Sequence, residues 1–446
     1  MRIAHIAAHI GGGVGSVLRD LFINSSDHEN YLFCLDKCES NFVDFPNAKM
    51  AIQSVAYEPN DLFHQILARC DVVVFHYWNH PLAAKFLTSI RLPPCRLIFW
   101  CHNSGLYEPH IIPSYLGRMS AKILFTSSCS LDAPNTALLT STSSLGNNEV
   151  VHSTRALDNF VVIGQDREIR PEGKNLLYVG TVSKSKMHPE SAKILAKLNQ
   201  NGYRVQLVGG SDHVQLASEV ASLGGKIEIY GPVNNVVDFY KNADIFIYPL
   251  RSDHYGTGEQ VILEGLAAGL PMVAFNNPAE RAIIENGVNG NLASSSDEFV
   301  EMIIAMVKEP ELLQKMSQRA IDTVQEKFNS KLMASKLFEI FEEMLMLEKS
   351  PQNLALPNVC GADELCLFAA NSFFDEDIYK CCIENPSIGP ERIYLQIKPE
   401  LECLDGVAKW MCSSKSTPFH YLKYFPNCLG LQQLTQLIRN QSCSFN

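Results

Sequence analysis

The chain has 446 residues, 46% of them hydrophobic and 19% charged, and a formal net charge of −11. That length exceeds what one hydrophobic core holds and predicts two or three domains, and the composition is too apolar for a disordered chain. The acidic balance excludes a protein whose main work is to hold phosphate backbones, so no nucleic acid partner is expected.

Taken in chain order, Arg2–Ala7 reads as a strand running into glycines, not as a signal peptide, and nowhere do about 18 uncharged apolar residues follow one another. A cytosolic protein is expected, with peripheral contact at the inner face of the membrane left open. Segments Tyr31–Leu35, Asp71–Phe75, Arg96–Trp100 and Ile123–Thr126 continue the β-rich series, separated by helix-compatible stretches such as Val14–Phe22 and Asp61–Ala68. This alternation predicts a parallel sheet with helices on both faces. Gly164–Gly173 reads as a linker, after which the alternation restarts at Asn175–Val179, Arg204–Val208, Lys226–Tyr230, Asp244–Tyr248 and Met272–Phe275. Helical spacing from Pro310 to Lys349 predicts one or two closing helices, and Ser350–Pro357 a boundary. The expected domains are 1–165, 166–349 and an accessory region, 358–446, that is small and mostly helical.

Fourteen cysteines fall six before Ser130, none from there to Val359 and eight beyond, without a Cys-x-x-Cys spacing. That layout predicts reduced, buried thiols, not a disulfide scaffold or a zinc site.

Four stretches have the composition of phosphate or nucleotide contacts. His9-Ile10-Gly11-Gly12-Gly13-Val14-Gly15-Ser16 follows the first strand and opens a helix, where backbone N–H groups can receive phosphate oxygens. Its spacing is not that of a dinucleotide site, because Ser16 or Leu18 stands where the third glycine belongs; Asp36 nonetheless ends the second strand, where an acid can hold a ribose. Gly180-Thr181-Val182-Ser183-Lys184-Ser185-Lys186 places two lysines after a strand, and Tyr230-Gly231-Pro232 ends another on the same carboxyl edge. Finally, Tyr248–Pro271 reads as strand, glycine-bearing loop and a helix beginning near Gly258, with Glu264 in its second turn positioned to accept ribose hydroxyls.

These residues resemble the retaining glycosyltransferases of family 4 over about residues 2–345. Gly12-Gly13-Val14-Gly15 is similar to the family's amino-terminal glycine loop, and Gly180 through Lys186 to its Gly-Arg-x-x-x-x-Lys turn. Asn242–Pro249, Leu263–Ala274 and Asn286–Gly290 resemble its donor-site core and the turn after it.

The resemblance implies a GT-B fold: two Rossmann-like doubly wound domains facing across a cleft, here with the helical appendage. It implies a hexosyl-type enzyme moving a sugar from a nucleoside diphosphate sugar to a hydroxyl acceptor, with retention of configuration and without a metal cofactor. The acceptor would be a growing surface polysaccharide or lipid-linked glycan; the role of the appendage stays open between docking a partner protein, recruitment to a glycan-building complex and capping the fold.

By the same resemblance Lys186 contacts the diphosphate, Glu264 the ribose, Gly258 and Glu259 the phosphates, and Gly12 and Gly13 approach the same group. Thr181 stands in the turn and Tyr230 near the base, while His102, after the Arg96–Trp100 strand, meets the transferring sugar. Two departures stand out: the family's arginine is Thr181, and eight residues before Glu264, where the family has its first acid, is Gly256. Asp253, His254 or Glu259 is then expected to serve in its place. The rival readings are a catalytically impaired nucleotide-sugar binding or scaffold protein, motivated by those departures, and a dinucleotide-dependent oxidoreductase.

Overall fold

The structure, a computed structural model, describes residues 1–442 except 38–44, 57–60, 144–148, 171–172, 211–212, 234, 258–259, 352–362 and 413–415. The chain divides into two compact units, one of Met1–Ser153, Tyr255–Thr257 and Ser330–Asn446, the other of Thr154–His254 and Gly258–Asn329.

The first unit is built on β1 (Arg2–Ala7), β2 (Glu29–Cys34), β3 (Ala48–Ile52), β4 (Val72–Tyr77), β5 (Leu97–Cys101), β6 (Lys122–Phe125) and β7 (Glu149–Val150). All pair in parallel, in the order β3-β2-β1-β4-β5-β6-β7. The central strands, Val-Val-Val-Phe-His-Tyr and Leu-Ile-Phe-Trp-Cys, are buried throughout, as continuous apolar runs covered on both faces must be. Alternation sorts their side chains. Val72, Val74, Ile98 and Trp100 pack with helices Gly12–Ile23 and Ser330–Leu345 through Leu18, Phe22, Leu337 and Phe341. Val73, Phe75 and Phe99 face Phe63 and Phe86 on the other side.

The tail continues that second layer. Leu365, Phe368, Trp410, Tyr421 and Leu431 share one hydrophobic core with β4 and β5. Asn371 accepts from Tyr115 Oη at 2.5 Å, and its carbonyl accepts from Asn79 Nδ2 at 2.6 Å. The accessory region is therefore a structural layer of the first unit.

The second unit holds β8 (Asn175–Val179), β9 (Arg204–Val208), β10 (Glu228–Ile229), β11 (Ile245–Tyr248), β12 (Met272–Phe275) and β13 (Asn291–Ala293). They pair in parallel in the order β10-β9-β8-β11-β12-β13. Strand order reverses at β1/β4 in one sheet and at β8/β11 in the other. In doubly wound sheets the crevice beyond the carboxyl ends at such a point is where ligands bind. Eight of the described cysteines are buried. Among the described residues no helix is long and apolar enough to cross a membrane.

Candidate functional site

In the second unit, three loops at the carboxyl edge are laced together. Gly180 N donates to Val208 O at 2.9 Å and Gly209 N to Gly231 O at 2.7 Å. Gly210 has φ of +85°, and a Cβ there would lie 2.1 Å from Val182 N, so only glycine lets the β8 and β9 loops meet. The packed turn turns Lys186 inward. That lysine is 7% exposed, its Nζ donating to Tyr248 Oη at 2.9 Å. Thr181 is exposed beside it, and its carbonyl accepts from Tyr178 Oη at 2.7 Å.

Strand β11 ends on Tyr248, and the loop after it carries a second cation at this edge. Arg251 is 7% exposed and forks onto Asp253, Nε to Oδ1 at 2.5 Å and Nη2 to Oδ2 at 3.3 Å, while Nη1 donates to Lys184 O at 3.2 Å. His254 Nε2 lies 3.0 Å from Glu280 Oε1, both side chains buried. Asp253 and His254, two of the residues expected to serve in place of the missing acid, are thus held inside the unit. The third, Glu259, and the helix-entrance residue Gly258 lie outside the described residues.

Helix Gln260–Ala267 places Glu264 on its buried face, 4% exposed. Arg155 Nη2 lies 2.5 Å from Oε1, and Tyr240 Oη donates to Oε2 at 2.8 Å. Burial pushes the Glu264 carboxyl up, opposed by the Arg155 charge and the Tyr240 hydrogen bond. Each oxygen retains a second lone pair, so the carboxylate can still accept from hydroxyls. Tyr230, which ends β10's extension, is 42% exposed and donates to Glu228 Oε2 at 2.6 Å, with its ring edge-on to Phe239.

In the first unit, helix Gly12–Ile23 opens with Gly12 and Gly13 exposed. Gly12 has φ of +65°, and a Cβ there would meet nothing within 4 Å. Gly15 packs against the chain that enters the helix, where a Cβ would sit 1.7 Å from Ile10 O. His102 follows β5, half-buried, its Nε2 3.1 Å from His76 Nδ1 and its ring 4.9 Å from Trp100. Burial pulls the imidazole down to about 3. Asp36 is taken up by its surroundings, accepting from Tyr424 Oη at 2.8 Å and from Lys37 N at 2.8 Å.

Sequence reasoning missed Arg155, Tyr240, Tyr248 and His76. Tyr248 stands in a stretch read as strand and donor-site core without a role of its own, and Tyr240 in none of the segments singled out. His76 is a polar residue in an otherwise apolar strand, which is a legible signal. Arg155 lies in Val151–Leu157, which offers none.

The family described as Glycosyl transferases group 1 matches residues 163–323. The chain is 24% identical to an uncharacterized glycosyltransferase of Haemophilus influenzae over 33% of its own length and 44% of that protein's. It is likewise 24% identical to the N-acetyl-alpha-D-glucosaminyl L-malate synthase of Bacillus anthracis over 40% and 47%. The matched stretches thus span less than half of either relative. Among solved structures, a glycosyltransferase from Rickettsia africae has a TM-score of 0.59 at 17% identity, covering 77% of this chain and 98% of that one. The Anabaena protein HepE in complex with UDP also scores 0.59, at 15% identity and 77% and 100% coverage. These likenesses identify the fold as GT-B, and residues 163–323 are similar to the glycosyl transferases group 1.

Proposed function

We propose that this protein moves a hexosyl unit from a nucleoside diphosphate sugar to a hydroxyl acceptor with retention of configuration, as a family 4 enzyme. The observation that carries the reading is the pair of buried groups in the matched domain. Lys186 on Tyr248 and Glu264 on Arg155 and Tyr240 belong to the loop after β8 and the helix after β11, the two strands at the switch point.

In this reading Lys186 neutralises the leaving diphosphate, assisted by amides at the helix entrance near Gly258 and Glu259. Interactions aimed at charge that develops on the leaving group lower the barrier most. Glu264, its orientation fixed by Arg155 and Tyr240, takes the ribose diol on its remaining lone pairs. Tyr230 borders the base, Thr181 lies beside the diphosphate, and Gly12 and Gly13 let a phosphate approach backbone amides. His102 takes a hydroxyl of the transferring sugar. The acceptor is assigned to a surface polysaccharide or lipid-linked glycan assembled at the cytoplasmic face of the membrane, and no metal takes part.

The test screens uridine, guanosine and other diphosphate sugars for nucleotide release and follows the product anomer by NMR. Lys186→Ala and Glu264→Gln are expected to lower turnover at least tenfold, the worth of one charge-assisted hydrogen bond. Turnover untouched by both changes sinks the site assignment. Donor binding without turnover against any acceptor pool favours the scaffold reading, which Thr181 and the internal engagement of Asp253 and His254 support.

A further inference from the structure

The function proposed above gives the tail no part beyond packing, yet one cavity of the first unit has the tail as a wall. Its volume is about 120 Å³, and all the residues around it belong to that unit. One side is made by the connections after β5 and β6, through Ile111, Pro113, helix Tyr115–Met119 and Leu138 of helix Thr136–Thr142. The other is made by the tail, through Phe373, Phe374 and Tyr379.

The two sides are tied to each other. Ser114 Oγ donates to Glu376 Oε1 at 3.1 Å, and Phe374 N donates to Glu108 Oε1 at 2.8 Å. Phe373 is stacked on Trp410 with ring centroids 5.9 Å apart and meets Phe368 edge-on at 5.7 Å. An apolar cavity of roughly 150 Å³ admits benzene, so one six-membered ring is the right scale here. Arg118, Leu138 and Glu376 are exposed, which leaves the cavity open to solvent on their side.

The polar groups around it keep bonding capacity in hand. Among the described residues the Arg118 guanidinium and the Tyr379 hydroxyl make no hydrogen bond or ion pair. Asn135 is turned by the bond from its Nδ2 to Ile112 O at 3.1 Å, so its Oδ1 stands as an acceptor. Glu376 Oε2 has Lys380 Nζ at 3.9 Å, beyond hydrogen-bond reach. These groups select the ligand. An anion gains at Arg118 but meets the Glu376 carboxylate across a space one ring wide. A purely apolar ligand takes Arg118, Tyr379 and Asn135 out of water without giving them partners, which is unfavourable. A neutral polyol serves them all, because each hydroxyl both donates and accepts. A pyranose is such a polyol, and its C–H face suits the half-buried rings of Phe374 and Tyr379.

We propose that the tail and the connections after β5 and β6 form a carbohydrate site in the first unit, which takes one neutral pyranose with its C–H face on Phe374 and Tyr379 and its hydroxyls on Arg118, Asn135 and Glu376. That this pyranose belongs to the glycan acceptor rests on the glycosyl-transfer reading; that a sugar binds here does not.

Saturation-transfer NMR on the full chain tests it with the methyl glycosides of glucose, galactose, mannose and N-acetylglucosamine, each titrated with and without excess UDP. At least one is expected to bind whether or not UDP is present. Arg118→Met should weaken it roughly tenfold, the worth of one hydrogen bond from a charged group, with Tm and UDP affinity unchanged. Tyr379→Phe, which keeps the ring and removes the hydroxyl, should weaken it about threefold. No binding by any of these glycosides overturns the inference. So does glycoside binding that both substitutions leave untouched, or inorganic phosphate that displaces the glycoside. A chain that binds a glycoside here and turns over no nucleotide sugar defeats the functional reading and leaves the site standing.

Discussion

Glu264, which the proposed function assigns to the ribose, is also held by charge and hydrogen bonding inside the second unit. Its carboxylate is 4% exposed and compensated by Arg155, whose own side chain is 29% exposed, and by Tyr240. Removing Arg155 leaves a buried carboxylate without its counter-charge, held only by the Tyr240 hydrogen bond. Arg155→Met is therefore expected to destabilise the second unit by about 2 kcal/mol in urea, below the range for a fully buried pair because water reaches the arginine. In the Glu264→Gln background the same change should cost far less, a coupling that a double-mutant cycle reads. His5 makes a second residue-scale prediction. Its folded-state imidazole titrates at about 3 against about 6.5 in the unfolded chain, so between those values the unfolded state binds more protons. Stability is then full above pH 6.5 and falls as pH drops. His5 alone takes about 2 kcal/mol by pH 5, and His5→Gln should flatten the pH dependence of the urea midpoint by that amount. At this scale the sequence was uneven: Lys186 and Glu264 stand out by motif, but their partners Tyr248, Tyr240 and Arg155 are joined to them only by folding.

Among elements, the strands were the most legible, because fully buried parallel strands such as β4 and β5 read as short apolar runs bounded by helices. Periodicity also marks the helices after Pro310, yet it carries no information about which sheet they cover. Pro310–Lys327 packs in the second core through Leu313 and Met316, whereas Ser330–Leu345 packs in the first through Leu337 and Phe341. The tail shows the same limit. Its aromatics read as texture, and only the fold shows Phe368, Trp410 and Tyr421 inside the first core. Each such side chain, fully buried, contributes about 2 kcal/mol, and several together exceed the net stability of a typical domain. A chain truncated after Ser350 is thus expected to give no soluble protein with a cooperative melt. A soluble truncation with an unchanged Tm would make the tail a separable docking module instead.

For the whole molecule, the two sheets share one topological class and the family match falls within 163–323, so the proposed function assigns the donor nucleotide to the second unit. If cations and amides carry the leaving-group charge, turnover should be indifferent to EDTA, and a loss restored by a divalent ion would argue otherwise. The measurement that tests the account most directly is calorimetric titration of UDP and GDP into the full chain and into Lys186→Ala, with melts confirming that both are folded. The account predicts saturable one-site binding of at least one diphosphate, weakened roughly tenfold by the substitution. A folded chain that binds neither, or one that binds with Lys186→Ala equally well, would contradict it.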